Sequence, residues 1–315
     1  CYTAFYHSLI KPSEAHNESP FWPWDGPFFF DFSTLWDMYK TQLPLVLSLF
    51  PDEGAAIVNA MLTVVEMEGN FPIGYRLARG YDRFSHQASA LGHVVIADAF
   101  QRRLPGIDWE RALTLMSKDL GREYGEAFFQ DGVVHPLTHT LDLAYGCFCT
   151  AAIATEIGDT TVAAQMLEYA SQWKNAFDKT GLLRDSTYYE GSKYNYSFRL
   201  LHDMASRISL AGGDTAFVDL LDTFFGYAAD SVPAPGVSPC RTEMAEGELL
   251  GRFEGFNNEP DMESPYAYIY AGRHDRACEV IRAGLTQCYG DSRGGLVGND
   301  DSGGMSSWYV WSALG

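Results

Sequence analysis

The chain has 315 residues, with 22 Lys and Arg against 41 Asp and Glu, which gives a net charge of −19. Hydrophobic residues make up 46% and charged residues 20%, a composition that excludes a disordered chain and a coiled coil. The acidic balance argues against nucleic acid or an anionic membrane as a partner, because both need a basic face. No run of 18 apolar residues occurs, so no membrane span is predicted.

Apolar periodicity predicts helices along most of the chain. Leu141, Ala144, Tyr145 and Phe148 show the spacing of one helical face, and Gly158 supplies a stop. In chain order, the predicted helices span 34–49 (kinked at Pro44), 52–68, 86–103, 108–119, 141–157, 161–177, 195–211, 214–228, 260–271, 274–288 and 303–314. Strand-like alternation is scarce, so the fold class is predicted to be all-α.

Long loops rich in Gly, Pro and aromatic residues separate the helical pairs. They span 17–33, 69–85, 123–138, 181–194, 230–259 and 289–304. Loops of this length inside a compact domain are usually functional. Helical hairpins whose long loops gather at one end suggest an α/α toroid, in which inner helices form a barrel and the loops build a cleft.

Residues 1–315 are expected to form one domain, because neither a short repeat nor a low-complexity linker interrupts them. The chain opens at Cys1 without Met and ends within an apolar helical pattern, so truncation at both ends is expected. The six cysteines are too sparse for a disulfide scaffold and lack zinc-finger spacing. Free thiols, largely buried, are predicted in place of a metal or redox site.

The first candidate functional segment contains Trp36 and Asp37, just after Ser33 and Thr34, either of which can cap a helix. An Asp in the first turn complements the helix dipole, which is a sufficient structural reason for it. The functional alternative is a sugar subsite. Trp36 would supply an apolar platform for a pyranose ring, and Asp37 would accept hydrogen bonds from hydroxyls.

Glu190 follows Tyr188 and Tyr189 and precedes Gly191. A carboxyl beside apolar rings is desolvated, which raises its pKa and suits a general acid near neutral pH. The structural alternative is a capping or surface Glu in an aromatic-rich loop.

Asn258 and Glu259 begin an oxygen-rich segment that continues with Pro260 and Asp261. Amide, carboxylate and carbonyl oxygens are the ligands that Ca²⁺ takes, although the spacing is not that of an EF-hand. The alternative is a helix start capped by Asn258, and both interpretations can hold together.

Asp300 and Asp301 stand in a Gly-rich stretch that leads into a helix. Such a loop can position a carboxylate to activate water, and two adjacent acids resist simultaneous ionisation when buried. An Asx-turn with an N-cap is the structural alternative. A phosphate-binding loop is a poor alternative, because GxxxxGK[ST] is absent and the aspartates would repel phosphate.

These segments occur in a specific order together with several others. The ordered motifs are Tyr2–Pro12, Ser33–Asp37, Ile96–Ala99, Thr140–Tyr145, Tyr189–Ser192, Asn258–Pro260 and Gly298–Val310. The set resembles glycoside hydrolase family 92, the calcium-dependent inverting exo-α-mannosidases, from Tyr2 to Leu314.

The resemblance implies an (α/α)6 barrel whose glycan substrate is a terminal α-mannoside. It implies Glu190 as general acid and Asp301, with Asp300 beside it, as base toward water. It implies Asn258 and Glu259 as the Ca²⁺ segment. Trp36 and Asp37 are implied as contacts to the non-reducing mannose.

In the family, a β-sandwich domain precedes the barrel and contributes to the cleft. That domain is absent from this chain, which is therefore expected to need it for a complete cleft. The resemblance also implies an extracellular or periplasmic location.

Two departures from the family pattern leave specificity open. Tyr194 and Asn195 stand where Trp and Gln are usual, and Phe256-Asn257 replaces His-Gly. Three alternatives therefore remain: an (α/α)6 glycosidase of another specificity, a polysaccharide lyase, and a non-catalytic calcium-dependent glycan-binding relative. The acidic chain disfavours the lyase, because uronate polymers are anionic.

Overall fold

A computed structural model describes residues 1–14, 29–32, 34–69, 71, 88–122, 124–184, 192–227, 256 and 258–315. The all-α prediction is confirmed over these ranges. The helices are α1 (Tyr2–His7), α2 (Leu35–Met38), α3 (Gln42–Leu49), α4 (Pro51–Glu68), α5 (Leu91–Gln101), α6 (Trp109–Leu120), α7 (Tyr124–Asp131), α8 (Leu137–Ile157), α9 (Thr160–Ala170), α10 (Lys193–Ser197), α11 (Met204–Leu210), α12 (Asp214–Phe224), α13 (Ala267–Tyr270), α14 (His274–Gln287) and α15 (Gly304–Leu314).

Extended structure is confined, within the described ranges, to very short pairings. Strands β1 (Ser13–Glu14) and β2 (Phe29–Phe30) pair antiparallel, with Ser13 opposite Phe30. A single bridge joins Phe177 to Leu183.

The hairpin of α8 and α9 is the most extensive helix pair in the described structure. Gly158 ends α8 in the left-handed conformation, with φ 93°, which glycine adopts at little cost. Asp159 then caps α9 by accepting a hydrogen bond from the Val162 N–H. The predicted stop and the predicted helix pair are both confirmed.

Helix α8 lies at the centre of the described structure and packs against α5, α6, α7 and α9. It is buried along most of its length, as expected for a helix that is apolar on all sides. Leu141 and Cys147 belong to a hydrophobic cluster built mainly from residues 120–308, and Ile153 belongs to a second one built mainly from residues 29–116. One helix therefore contributes to both parts of the core.

The described cysteines are all free thiols, as predicted, but only two of the five are buried. Cys147 and Cys149 are buried free thiols, Cys288 is half-buried, and Cys1 and Cys278 are exposed. Burial raises the pKa of Cys149 to about 12, which keeps it in the unreactive thiol form. Cys240 lies outside the described residues.

Three predicted helices are each divided in the structure. The 260–271 helix is replaced by the 3₁₀ turns Glu259–Asp261 and Ser264–Tyr266 followed by the short α13. The other two each have one break. The 34–49 helix breaks at residues 39–41 and not at Pro44, which lies in the first turn of α3, where its missing N–H costs no hydrogen bond. The 195–211 helix breaks after Ser197 and restarts where Asp203 accepts a hydrogen bond from the Ser206 N–H. Both breaks carry polar side chains into the interior.

Two further differences concern helices that the sequence prediction missed. The predicted loop 123–138 contains α7, and α1 lies before the first predicted helix. Both are short, and α7 exposes several of its residues, so neither shows a long apolar period. Within the described part of the chain, no helix has the length and apolarity that crossing a membrane requires.

The packing around Gly284 on α14 generates a stability prediction. A Cβ at this position would lie 2.4 Å from Phe256 Cε2 and 3.1 Å from Trp308 Cη2. Those two rings stack with centroids 4.3 Å apart, so neither can retreat freely. We expect Gly284→Ala to lower the free energy of unfolding by about 1–3 kcal/mol, because overpacking outweighs the gain in helix propensity.

Chemical denaturation of the two proteins measures this difference. Gly294→Ala is the matched control, because nothing lies within 4 Å of a Cβ added there. An unchanged or higher midpoint for Gly284→Ala would contradict the packing argument.

Candidate active site

The segment that contains Trp36 and Asp37 meets the segment that contains Asp300 and Asp301. Helix α2 packs against the 3₁₀ turn Asp301–Gly303 and against the start of α15. A Cβ on Gly304 would lie only 3.0 Å from Asp37 Cβ, and Thr41 Oγ1 donates a 2.7 Å hydrogen bond to the Gly304 carbonyl. Two segments more than 260 positions apart in the sequence are thereby brought together.

Three consecutive non-glycine residues lie in the left-handed region: Asp300 (φ 63°), Asp301 (φ 43°) and Ser302 (φ 59°). Each such residue costs of order 1–3 kcal/mol, and such strain concentrates at functional sites. The turn is held by the Ser306 N–H, which donates to Asp300 Oδ1 at 2.8 Å, and by the Met305 N–H, which donates to the Asp300 carbonyl.

Gly303 completes this turn with φ 91°. A Cβ there would lie 2.8 Å from the His7 carbonyl oxygen, so the close approach of α1 requires glycine. The Asp300 carboxylate accepts from the Ser306 N–H six residues later, in the first turn of α15, which is a longer-range contact than an Asx-turn, and Gly303 is the N-cap of α15.

Asp300 is half-buried, and His7 Nδ1 lies 3.5 Å from its Oδ2. Burial raises the pKa of the Asp300 carboxyl, because the charged form loses hydration. The Ser306 N–H and the nearby His7 act in the opposite direction but do not cancel the effect. A carboxyl of this kind takes up a proton more readily than one in water, as a base must.

Asn258 caps a 3₁₀ helix formed by Glu259–Asp261, as one of the two predictions for this segment states. Its Oδ1 accepts a 2.9 Å hydrogen bond from the Glu259 N–H. Pro260 lies in the first turn, where its missing N–H costs nothing. Glu259 and Asp261 are almost completely buried, at 2% and 0% exposed.

Lys40 supplies the charge that Glu259 needs in this buried position. Its Nζ lies 2.7 Å from Glu259 Oε2 and 2.9 Å from Glu263 Oε1. Burial works to lower the pKa of Lys40, but the two carboxylates outweigh it and the net pKa is raised. Burial likewise works to raise the pKa of Glu263, and the charges of Lys40 and Arg199 bring it below its usual value.

The chain that follows Glu190 contacts the same segment. Ser192 and Asn195 form a capping box at the start of α10. Asn195 Nδ2 donates to Asp261 Oδ1 at 2.9 Å, and the Tyr196 hydroxyl donates to Glu259 Oε1 at 3.0 Å. Glu190 itself lies outside the described residues, so its predicted role as acid stays a prediction.

Several polar residues of this network were not predicted from the sequence. Arg199 pairs with Asp142 on α8 and donates a 2.6 Å hydrogen bond to the Tyr39 hydroxyl. The Ser89 N–H donates to the other oxygen of Asp142 at 3.0 Å. Asp142 is the one acidic residue in the apolar run 141–154, a signal that could have marked it as a buried partner of a cation.

Trp36 and Asp37 are buried, with 8% and 0% of their surface exposed. Asp37 complements the first turn of α2, as the structural alternative states. A contact between either side chain and a sugar requires that sugar binding exposes it.

The donor set around Glu259 does not fit a carboxylate-based calcium site. Lys40 engages one oxygen of its carboxylate and Tyr196 the other. Over the ranges that the structure describes, no three His, Cys, Asp or Glu side chains come together as a possible metal-binding group. No step of a mechanism is therefore derived through a metal ion.

A cavity of about 980 Å³ lies next to this network and shares part of its lining with it. Lys40 and Glu263 reach its wall, which is otherwise largely apolar and includes Trp308, Ile281 and Leu285. Among the described residues, its lining includes none of the predicted site residues, so these residues do not place the sugar subsite in this cavity.

The chain resembles known proteins both in sequence and in fold. The sequence model for the Glycosyl hydrolase family 92 catalytic domain matches residues 1–315. An uncharacterized secreted glycosidase of Arthroderma benhamiae is 23% identical over 380 residues, covering 100% of this chain and 42% of that protein.

Solved structures from Bacteroides thetaiotaomicron resemble the whole chain. A family GH92 α-mannosidase in complex with mannoimidazole has a TM-score of 0.80 at 22% identity, covering 100% of this chain and 46% of its own. A family GH92 inverting mannosidase has a TM-score of 0.83 at 22% identity, covering 100% and 48%. The predicted (α/α)6 fold is confirmed, and the chain spans less than half the length of these relatives.

The raised pKa of Asp300 generates a pH prediction. A carboxyl whose pKa is higher in the folded than in the unfolded state destabilises the fold once the pH exceeds its unfolded value. Asn at this position still accepts the Ser306 N–H but cannot ionise. We therefore compare the Tm of Asp300→Asn with that of the wild type. The difference, variant minus wild type, should become larger as the pH rises from about 4 to about 7.

Calorimetry across this range measures the difference, and Asp291→Asn controls for the loss of an exposed carboxyl in the neighbouring loop. A difference that shrinks as the pH rises would show that the Asp300 carboxylate stabilises the fold.

Proposed function

The chain belongs to glycosyl hydrolase family 92, and from this membership we propose that it forms the catalytic barrel of an exo-acting α-mannosidase. The enzyme would remove terminal α-linked mannose from glycans with inversion. The observation that supports this most directly is the convergence of α2, the strained Asp300–Ser302 turn and the Asn258–Glu263 segment. These segments carry six of the seven predicted site residues.

In the proposed reaction, Glu190 protonates the leaving oxygen while Asp301, assisted by Asp300, takes a proton from the attacking water. An inverting enzyme needs these carboxyl groups about 6.5–9.5 Å apart, which leaves room for the water between acid and base. Direct displacement produces β-mannose, and no covalent intermediate forms. The strained turn supports the base assignment, because it fixes the direction of two adjacent carboxylates.

Trp36 and Asp37 would bind the non-reducing mannose from α2. Their position beside the Asp300–Ser302 turn supports this role, since the sugar must lie against the water-activating base. Calcium dependence rests on family membership alone. The resemblance implies the segment Asn258–Glu259 for the ion, whereas both carboxylate oxygens of Glu259 are engaged by Lys40 and Tyr196.

The proposed enzyme acts outside the cytoplasm, as the secreted relative suggests. A second domain, a β-sandwich, is proposed to complete the cleft. Activity should therefore be measured on the full-length natural protein.

The acid assignment generates a kinetic prediction. We expect Glu190→Gln to lower kcat by about 10²–10⁴-fold on an α-linked mannobiose, because general acid catalysis supplies a factor of that size. The loss should be much smaller on a dinitrophenyl α-mannoside, whose leaving group needs no proton.

The anomer that appears first is followed by NMR in the same reactions, and β-mannose is expected. Glu156→Gln, an exposed Glu on α8, is the control. Equal losses on the two substrates would remove the acid assignment, and sugar binding without turnover by the wild type would favour a glycan-binding protein.

The metal proposal has its own test. Chelation with EDTA should abolish hydrolysis, and added Ca²⁺ should restore it while Mg²⁺ should not, because the smaller ion demands octahedral geometry. Turnover that survives exhaustive chelation would show that the metal is not required.

A further inference from the structure

Lys40 lies two residues after the short helix α2 that carries Trp36 and Asp37, and its charge is buried. Only 4% of its side chain is exposed. An ammonium group has three N–H donors. All three are accounted for: Glu259 Oε2 at 2.7 Å, Glu263 Oε1 at 2.9 Å and the Glu259 carbonyl oxygen at 3.0 Å.

Glu259 and Glu263 each have a second carboxylate oxygen that does not contact Lys40. In both residues this oxygen accepts a hydrogen bond from the chain that follows Glu190. Glu259 Oε1 accepts from the Tyr196 hydroxyl at 3.0 Å, and Glu263 Oε2 accepts from the Leu200 N–H at 2.7 Å. The two carboxylates therefore form two parallel bridges between Lys40 and residues 196–200. Without the ammonium group, two buried like charges would face each other.

Tyr39, the residue before Lys40, makes a third link to residues 196–200. The Tyr39 hydroxyl accepts a 2.6 Å hydrogen bond from Arg199 Nη2. Arg199 is itself held by Asp142 on the central helix α8. Residues 39 and 40 thus join the end of α2 to consecutive residues 199 and 200.

We propose that Lys40 is a positioning residue that sets where the proposed sugar-contacting helix α2 lies relative to residues 192–200. This inference rests on the proposed function, because its consequence is the alignment of the bound mannose with the loop that carries the proposed acid. Lys40 does not touch the substrate. It acts through Glu259 and Glu263, and a displacement of about 1 Å between such elements can cost about 10²-fold in rate.

The test uses the full-length natural protein with Lys40→Met, Lys40→Arg and the control Lys118→Met, which removes an exposed helical lysine. For Lys40→Met we expect kcat on an α-linked mannobiose to fall about 100-fold, with KM changed by less than about threefold. Lys40→Arg keeps the charge and should recover at least about a tenth of the wild-type kcat. Lys118→Met should behave as the wild type.

Hydrogen exchange supplies a readout that is independent of turnover. In Lys40→Met, amides of residues 192–200, including the Leu200 N–H, should exchange about tenfold faster, whereas those of α8 should not change. If Lys40→Met does not fold, Glu263→Gln replaces it in the test. In Glu263→Gln, Lys40 keeps Glu259 as an ion-pair partner. It should show the same faster exchange at 196–200 and the same fall in kcat.

The outcomes separate this inference from the proposed function. Active wild type with unchanged kcat and unchanged exchange in both variants overturns the positioning role of Lys40. Equal exchange increases across α8 and 192–200 also overturn it, because they report general destabilisation. A wild type that hydrolyses no mannoside overturns the proposed function, and the exchange data alone then decide whether Lys40 links the two segments.

Discussion

A charge that is removed from water must find a partner, and this constraint organises the described structure. Asp142 forms an ion pair with Arg199, and Lys40 forms ion pairs with Glu259 and Glu263. Each buried charge needs such a partner because an isolated one would cost several kcal/mol. Each pair joins segments far apart in the sequence, so that pairing also fixes how those segments lie. An arrangement of the helices that left these charges unpaired would lose stability.

The sequence was sufficient for the helical class because helices such as α8 carry a long apolar period that nothing else explains. Gly158 also ended α8 where predicted, and α9 begins within one residue of its predicted start, since backbone and capping chemistry is local. Helix breaks were harder to predict. The interruptions at residues 39–41 and 198–203 exist because Lys40 and Arg199 have distant partners, and no local pattern records a partner 219 or 57 positions away.

The sequence predicted the individual segments of the candidate site but not the contacts that join them. The segments around Trp36, Asn258 and Asp300 stood out by composition, and their order carried the family resemblance. The strained φ angles at Asp300–Ser302 could not be foreseen, because Asp and Ser are common in ordinary turns. Lys40 was missed because a single lysine after a short helix has no distinguishing pattern. Glu190 lies outside the described residues and stays a prediction.

The position of α8 in both hydrophobic clusters has a consequence for folding. A core divided between two groups of helices could separate into two units that melt independently. Because Cys147 and Ile153 lie on one continuous helix and serve different clusters, disorder in either cluster removes support from the other. The barrel is therefore expected to gain and lose its order as one cooperative unit, in which the two groups of helices stabilise each other.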